Sequence, residues 1–329
     1  MSAPEVSICL PVFNSSERIE RCLRAVIAQH GPSREILVVD NASTDDTVVK
    51  ARAMLSGVAG ARVVVNDRNI GRIENWNRCL EMAEGNYIKF ALVNDVLLPG
   101  SVAMLLQAAK TEPNAVMICS YQRNMDAMPE FIEPVSTNPK MEIYDSAGAL
   151  GRMARNGNDT GAPGGMLIRA DVVRRDSLRF RTDIPFWSDF HFAIELAERG
   201  KVVYVDAASY LFDLSVTGRY ANTGLKNYYG EGAICARALA ARLPKFGVEG
   251  WKGYEFLYRQ YTGQVWNYRQ PALGLGATRR LFAGAGPYRA RAARYAVRQR
   301  ARMLWERSVH YATRAAAKTG LYRYSWEKK

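Results

Sequence analysis

The sequence lacks the segments that mark exported and membrane-spanning proteins. Met1–Glu5 contains no basic region followed by an apolar stretch, so we predict no signal peptide. No uncharged apolar run reaches the roughly 18 residues that are needed to span a bilayer. We therefore expect a cytoplasmic protein.

Cysteine is scarce and scattered. The 329 residues include five cysteines, and no two of them form a Cys-x-x-Cys pair. An odd number without paired spacing predicts neither a disulfide framework nor a zinc site. We expect buried, reduced thiols, which are typical of cytoplasmic proteins.

Two glycine-rich nucleotide-binding motifs are also missing. No Gly-x-Gly-x-x-Gly follows the first apolar run, and no Gly-Lys-Ser or Gly-Lys-Thr loop occurs in the chain. The sequence therefore gives no support for dinucleotide binding through a glycine fingerprint or for P-loop phosphate binding.

Positive charge is concentrated at one end of the chain. The net charge is +13, but residues 279–329 carry 14 basic side chains against two acids, and the remaining 278 residues carry 31 against 30. This basic tail interleaves its arginines with aromatic residues such as Tyr288, Tyr295 and Trp305. The pattern suits an anionic membrane surface and equally suits nucleic acid. A solvated helical face that packs on the body through its aromatic residues is the third interpretation.

Short apolar runs alternate with helical patterns over the first 120 residues. Hydrophobic residues make up 48% of the chain, which is typical of a globular protein. The apolar runs predict strands at Val6–Val12, Glu35–Asp40, Arg62–Val65, Tyr87–Val93 and Ala115–Ser120. Apolar strands that are separated by helices predict a parallel sheet covered on both faces.

The pattern is less regular after this region. Residues 122–160 are predicted to form a long irregular excursion. Regular structure is predicted to return at Gly165–Ile168, followed by a helix at Ser188–Arg199 and strands at Val202–Val205 and Ser209–Phe212.

Polar residues follow the first four predicted strands. They occupy the segments Pro11–Asn14, Asp40–Ser43, Asn66–Asn69 and Asn94–Asp95. Ligands of open parallel sheets bind outside the carboxyl ends of the strands, so we expect a site where these segments meet. An Asp at such an end suits a base or ribose, or a divalent cation that bridges a diphosphate. For any one segment, helix capping and turn formation remain the alternative.

These motifs together resemble the family 2 glycosyltransferases with the GT-A fold. The segments that keep the family's order and spacing are Val6–Asn14, Ile36–Asp45, Asn69–Asn77, Gly85–Ile88 and Asn94–Pro99. The resemblance covers about residues 5–110 and, less closely, 160–220. It implies an α/β fold, a Rossmann-like, mostly parallel sheet flanked by helices. It also implies inverting transfer of a sugar from a nucleoside-diphosphate donor.

The resemblance assigns roles to individual residues. The donor nucleotide would be bound by Pro11, Val12, Asn14, Asp40, Asn69, Asn94 and Asp95. Asn94 and Asp95 fall at the family's metal-binding motif, so the implied cofactor is a divalent cation, Mg²⁺ or Mn²⁺. Asp189 falls at the general base, whose carboxylate takes a proton from the acceptor hydroxyl. The alternative for Asp189 is a first-turn acid of a helix.

The chain departs from the family pattern at two places. The family motif often has the form Asp-x-Asp-Asp, whereas this chain has Leu92-Val93-Asn94-Asp95 and so keeps one carboxylate. The family often has a histidine after the last core strand, but Phe212–Ser215 has none, with Asp213 as the candidate substitute. These departures support an alternative function, a catalytically weak or inactive relative that binds nucleotide or glycan.

The predicted organisation is a catalytic domain over residues 1–225 and a mainly helical, basic extension over 226–329. The implied partners are a nucleotide-sugar donor and a glycan or lipid-linked acceptor, in surface polysaccharide biosynthesis. The basic tail adds an anionic membrane surface, which would place the protein on the inner face of the cell membrane. Nucleic acid is the weaker alternative partner.

Overall fold

The structure is a computed structural model that describes residues 3–125, 132–213 and 225–256, together with 290, 291 and 294. The strands in these ranges are β1 Val6–Val12, β2 Arg34–Asp40, β3 Ala61–Val65, β4 Tyr87–Phe90, β5 Asp95–Leu97, β6 Ala115–Met125, β7 Met141–Tyr144, β8 Met166–Arg169 and β9 Lys201–Asp213. The α-helices are α1 Ile19–Ile27, α2 Thr47–Leu55, α3 Arg72–Met82, α4 Ser101–Thr111, α5 Ser146–Asn156, α6 Ala170–Arg175, α7 Ser188–Ala197 and α8 Leu225–Arg242.

All the strands belong to one mixed sheet. Its order is β3-β2-β1-β4-β8-β6-β9-β5, with β7 also paired to β9. The pairings among β3, β2, β1 and β4 are parallel, as the sequence predicts. The direction changes at β8, which runs antiparallel to both β4 and β6. The α/β fold class is confirmed, and the parallel arrangement is confined mainly to the first half of the sheet.

Apolar side chains cover both faces of the sheet. Ile8 and Leu10 of β1 point into a cluster that includes residues of α1, α2 and α4, whereas Cys9 between them points into a cluster with residues of α3, α5 and α7. This alternation explains why the predicted strands are continuously apolar, because a strand that is covered on both faces exposes no position to water. All five cysteines are free and buried, which confirms the expected reduced thiols.

The predicted strand Tyr87–Val93 is wrong at its end. β4 stops at Phe90, and a turn follows in which the Asp95 N–H donates to the Leu92 carbonyl at 2.8 Å. Asp95 then begins β5, which pairs antiparallel with β9. The apolar run continues through the turn because Leu92 and Val93 pack against the two core clusters, so hydropathy alone does not mark the break.

The predicted irregular excursion at residues 122–160 is also wrong where the structure describes it. β6 continues to Met125, and β7 and α5 follow residue 140. β7 pairs with β9 alone and leaves Met141 and Ile143 exposed, so it lacks the buried apolar pattern of a central strand. Asp145 caps α5 by accepting a hydrogen bond from the Gly148 N–H at 2.8 Å. The two strands predicted at Val202–Val205 and Ser209–Phe212 are one strand, β9.

The C-terminal region begins with α8, which packs on the body. Cys235 and Leu239 of this helix, and Phe256 beyond it, belong to the same buried cluster as Trp187 and Phe190 of the body. The domain boundary at residues 225/226 stays a prediction. No helix in the described ranges is long and apolar enough to cross a membrane.

Almost all of the basic tail lies outside the described residues. Its described members are Ala290, Arg291 and Arg294, and the Arg291 guanidinium lies 2.8 Å from the Glu249 carboxylate. Both partners are more than half exposed, so this ion pair contributes little to stability.

Candidate functional site

A cleft of about 400 Å³ opens at the carboxyl ends of β1 and β4. Six of the eight sequence-predicted site residues line it, namely Pro11, Val12, Asn69, Asn94, Asp95 and Asp189. Side chains of α3, including Arg72, Asn75 and Trp76, form a further part of the wall. The strand ends and the start of α7 therefore meet at one cleft, although they are separated by more than 90 residues in the chain.

Asn14 and Asp40, the other two predicted residues, build the loop beside the cleft. The Asp40 carboxylate is buried. It accepts hydrogen bonds from the Ser43 N–H at 2.8 Å and from the Ser43 hydroxyl at 2.5 Å. The Ser43 hydroxyl in turn accepts from the Asn14 N–H at 2.8 Å, and the Asn14 Oδ1 accepts from the Thr44 N–H at 2.9 Å. Asn14 has φ of +44°, a conformation that costs free energy and is held by these contacts. A role of Asp40 in nucleotide binding stays a prediction.

A network of asparagine amides fixes the wall between β2 and α3. Asn41 donates to the Asn69 Oδ1 at 2.8 Å and accepts from the Ile70 N–H at 2.9 Å. Asn66 donates to the Asn75 Oδ1 at 2.9 Å, and Asn75 donates to a backbone carbonyl of β2. The network positions Asn69 and Asn75 at the cleft without adding charge to it.

Asp95 is the buried acid of the cleft. Its side chain is 2% exposed, and neither carboxylate oxygen has a hydrogen-bond partner in the described part of the chain. Burial raises the pKa of Asp95 to about 7, against the opposing positive charges of Lys89 and Arg21. Burial of carboxylate oxygens without hydrogen-bond partners costs free energy. We therefore expect this side chain to bind a cation or a hydrogen-bond donor.

Lys89 of β4 is fully buried and interacts electrostatically with Asp95. Its ammonium group donates to the carbonyl of Gly164 and, at 3.3 Å, to that of Phe90, and it lies 5.7 Å from the ring centroid of Tyr210. Burial lowers the pKa of Lys89 to about 7, and the negative charge of Asp95 opposes this shift. The two groups therefore compensate each other's charge inside the protein.

Gly164 allows the close approach of the loop that carries it. A Cβ atom at this position would lie 2.6 Å from the Asp95 Oδ2, closer than real Cβ contacts. Gly164 belongs to the short 3₁₀ turn Pro163–Gly165 that leads into β8. The loop therefore covers one side of the Asp95 carboxylate, and Asp95 also lines the cleft.

The oxygen atoms at Asn94 and Asp95 fit a hard divalent cation. The Asn94 Oδ1 and both carboxylate oxygens of Asp95 are buried and lack a hydrogen-bond partner within the described ranges. Oxygen ligands of this type suit Mg²⁺ and Mn²⁺. The described residues contain no group of three or more His, Cys, Asp and Glu side chains arranged to hold a metal.

Asp189 lies in the first turn of α7 and faces the cleft. Its Oδ1 accepts from the Phe190 N–H at 2.7 Å, and its Oδ2 accepts from the Asn158 amide at 3.2 Å. Burial raises the pKa of Asp189 to about 6, although these hydrogen bonds and the charge of Arg72 oppose the shift. The group is a carboxylate at neutral pH and a better proton acceptor than an ordinary Asp. Its position is also that of a first-turn acid, so geometry alone leaves both interpretations open.

Sequence reasoning missed two charged residues at this site. Lys89 interrupts the apolar run Tyr87–Phe90, and a lysine within a strand that is covered on both faces is a signal that could have found it. Arg72 gave no such signal because it stands at the exposed start of α3. Its guanidinium lies 4.8 Å from the ring centroid of Trp76 and donates to the Pro185 carbonyl at 2.5 Å.

The chain matches a known protein family. The model described as glycosyl transferase family 2 matches residues 7–174, which is about half of the chain. The matched range runs from the second residue of β1 into α6, includes the Asn94–Asp95 pair, and ends before Asp189.

Several curated proteins are similar over shorter stretches. A Mycobacterium tuberculosis protein is 42% identical over 102 residues, 31% of each chain. The Haloferax volcanii glycosyltransferase AglE is 35% identical over 26% of this chain and 29% of its own length. The Campylobacter jejuni GalNAc(5)-diNAcBac-PP-undecaprenol beta-1,3-glucosyltransferase is 28% identical over 32% of this chain and 35% of its own length. The chain therefore matches about a third of the length of these relatives.

Two solved structures share the fold over most of the chain. The S. aureus protein TarS 1-349, in complex with UDP-GlcNAc, aligns with a TM-score of 0.65 at 14% identity over 97% of this chain and 93% of TarS 1-349. The Pyrobaculum calidifontis mannosyltransferase PcManGT, in complex with GDP-Man and Mn²⁺, aligns with a TM-score of 0.52 at 18% identity over 100% of this chain and 89% of that one. At these identities the likeness concerns the fold alone.

Proposed function

Because the chain belongs to glycosyl transferase family 2, we propose that it transfers a sugar from a nucleoside-diphosphate sugar to a hydroxyl group of an acceptor. The observation that carries the proposal is the single cleft that Asp95, with its buried oxygens, and Asp189, with its raised pKa, both line. An acid near a diphosphate site and a separate base are the two elements that sugar transfer needs. The nucleotide would lie along Pro11, Val12 and Asn69.

The proposed reaction is a single displacement with inversion at the anomeric carbon. The acceptor oxygen forms a bond to this carbon as the bond to the diphosphate oxygen breaks, and the Asp189 carboxylate takes the hydroxyl proton. Asn94 and Asp95 would hold a divalent cation, which supplies charge stabilisation for the leaving diphosphate. The complex of PcManGT with Mn²⁺ supports this choice of cofactor.

The proposed donor is a UDP-sugar or related nucleotide sugar, and the proposed acceptor is a lipid-linked glycan of a surface polysaccharide. The complex of TarS with UDP-GlcNAc supports the donor class. The undecaprenol-linked substrate in the name of the Campylobacter jejuni relative supports the acceptor class.

A donor panel tests the proposal. The full chain is incubated with UDP-, GDP- and dTDP-sugars, Mg²⁺ or Mn²⁺, and a lipid-linked glycan, and the released nucleoside diphosphate and the configuration of the product are measured. We expect release with one donor class and a product of inverted anomeric configuration. Donor binding without release would instead favour a non-catalytic nucleotide- or glycan-binding module.

Asp40→Ala is expected to raise the donor KM about 10-fold with little change in kcat, since the loss of about one charge-assisted hydrogen bond weakens binding by that order. The Asp40 carboxylate holds the Ser43 and Asn14 loop beside the cleft, so its loss also loosens that loop. The matched control is Asp46→Ala, at an exposed position whose side chain forms no capping hydrogen bond. An unchanged donor KM would remove Asp40 from the nucleotide site.

We also propose that the basic tail, residues 279–329, binds anionic membranes at the inner face of the cell membrane. Its 14 basic residues and interleaved aromatic residues support this proposal. The full chain is expected to float with anionic liposomes, and a chain ending at residue 278 is expected to remain in solution. Equal recovery of both chains with the lipid would contradict the proposal, and salt-sensitive retention on nucleic acid instead would favour the alternative partner.

A further inference from the structure

The segment Pro185–Trp187, which we name the base loop, is held from two sides. From α3, Arg72 donates to the Pro185 carbonyl at 2.5 Å. From α8, Glu231 accepts a hydrogen bond from the Phe186 N–H at 2.8 Å. The base loop leads directly into α7, whose second residue is Asp189.

The Glu231 carboxylate binds backbone at the start of a helix that lacks its own cap. Trp187 is the N-cap residue of α7, and its side chain makes no capping hydrogen bond. The Phe186 N–H donates to Glu231, and the neighbouring backbone of Phe186 and Trp187 opposes the rise in the pKa of Glu231 that burial causes. A carboxylate is favourable here because the N–H groups at a helix start carry partial positive charge.

A second contact from α8 reinforces the first. The Cys235 thiol, about one helical turn after Glu231, lies 3.7 Å from the Trp187 carbonyl. The Trp187 ring packs 5.6 Å from that of Phe256, beyond α8. The C-terminal region therefore contacts both the backbone carbonyl and the side chain of Trp187, the N-cap residue of α7.

We propose that Glu231 is a positioning residue that holds the base loop and so fixes Asp189 at the cleft. This inference rests on the proposed function. Asp189 follows Trp187 by two residues, so the direction in which the chain enters α7 decides where its carboxylate points. Reactions of this type are sensitive to displacements of about 1 Å in the reacting groups.

The proposed role of Glu231 places α8 within the catalytic domain. Glu231 lies beyond the family match, which ends at residue 174, and beyond the predicted domain limit at residue 225. On this view α8 belongs to the catalytic unit, and the catalytic domain extends at least through residue 242.

The test compares Glu231→Ala, Glu231→Gln and the control Glu249→Ala in the full chain. Glu249 is an exposed acid of the same region that pairs with Arg291. We expect Glu231→Ala to lower kcat about 10- to 100-fold, with the donor KM unchanged, because the base is displaced and the nucleotide site is not. Glu231→Gln keeps an oxygen acceptor and should retain most of the activity, and Glu249→Ala should behave as wild type.

Hydrogen exchange supplies a readout that does not depend on turnover. The Phe186 amide should exchange faster in Glu231→Ala than in wild type, and Glu231→Gln should largely restore its protection. Wild-type kcat in Glu231→Ala, or unchanged exchange at the Phe186 amide, would overturn the inference. An inactive wild-type chain would overturn the proposed function instead, and unchanged exchange would still count against the base-loop contact.

Discussion

Asp189→Asn is expected to lower kcat by about 10²- to 10⁴-fold, the range over which general bases contribute to catalysis. The substitution keeps the size of the side chain and its hydrogen-bonding capacity toward the Phe190 N–H, but it removes the proton acceptor. Donor affinity should stay nearly unchanged, since the predicted nucleotide contacts lie at the strand ends.

The control for this prediction is Asp183→Asn. Asp183 is an exposed acid six residues earlier whose carboxylate pairs with Arg181. Rates of nucleoside diphosphate release and donor dissociation constants are measured for both variants. A near wild-type rate in Asp189→Asn would show that Asp189 is a structural first-turn acid and that another group takes the proton.

The pH dependence of the wild-type reaction follows from the same residue. The base acts only when ionised, and burial raises the pKa of Asp189 to about 6. Protonation of Asp189 should therefore make kcat/KM fall by at least tenfold per pH unit below about pH 6. A profile that stays flat down to pH 5 would contradict the assignment, because an ordinary, unshifted Asp would still be ionised there.

Lys89→Met is expected to lower the free energy of unfolding by about 1–3 kcal/mol, the usual cost of leaving a buried polar group without its partner. Lys89 is fully buried and Asp95 nearly so. Removing the ammonium group leaves the Asp95 carboxylate without this compensating charge and the Gly164 carbonyl without its donor. Methionine fills much of the same volume, so a cavity contributes little to the expected loss.

A double variant tests whether the expected loss of stability comes from charge or from packing. Lys89→Met combined with Asp95→Asn should recover much of the lost stability, because neither residue then carries a charge inside the protein. The control is Lys110→Met, at a largely exposed lysine that pairs with Glu5. Urea unfolding measures all four chains, and a Lys89→Met variant as stable as Lys110→Met would contradict the paired-charge interpretation.

The first half of the fold was predictable because its strands are buried on both faces. β1 and β2 are continuous apolar runs, and the polar segments after them meet where parallel-sheet geometry requires. β7 was missed because it is an edge strand with an exposed face. The true start of β5 was missed because the turn before it is as apolar as the strands on either side.

Part of the candidate site was also predictable from the sequence. Asn69, Asn94, Asp95 and Asp189 line the cleft as the motifs implied. The residues that hold them in place could not be inferred, because Glu231 meets the base loop from 45 positions away and Lys89 meets Gly164 from 75 positions away. Local sequence patterns do not encode such contacts.

The position of β4 inside the sheet has a consequence for synthesis of the protein on the ribosome. β4 has β1 on one side, but its other neighbour, β8, is made about 75 residues later. At typical translation rates this delay is roughly 4–15 s, during which the growing chain presents an unpaired strand edge. Such edges promote association between chains. The nascent protein is therefore expected to be most prone to association between chains in the interval before β8 is made.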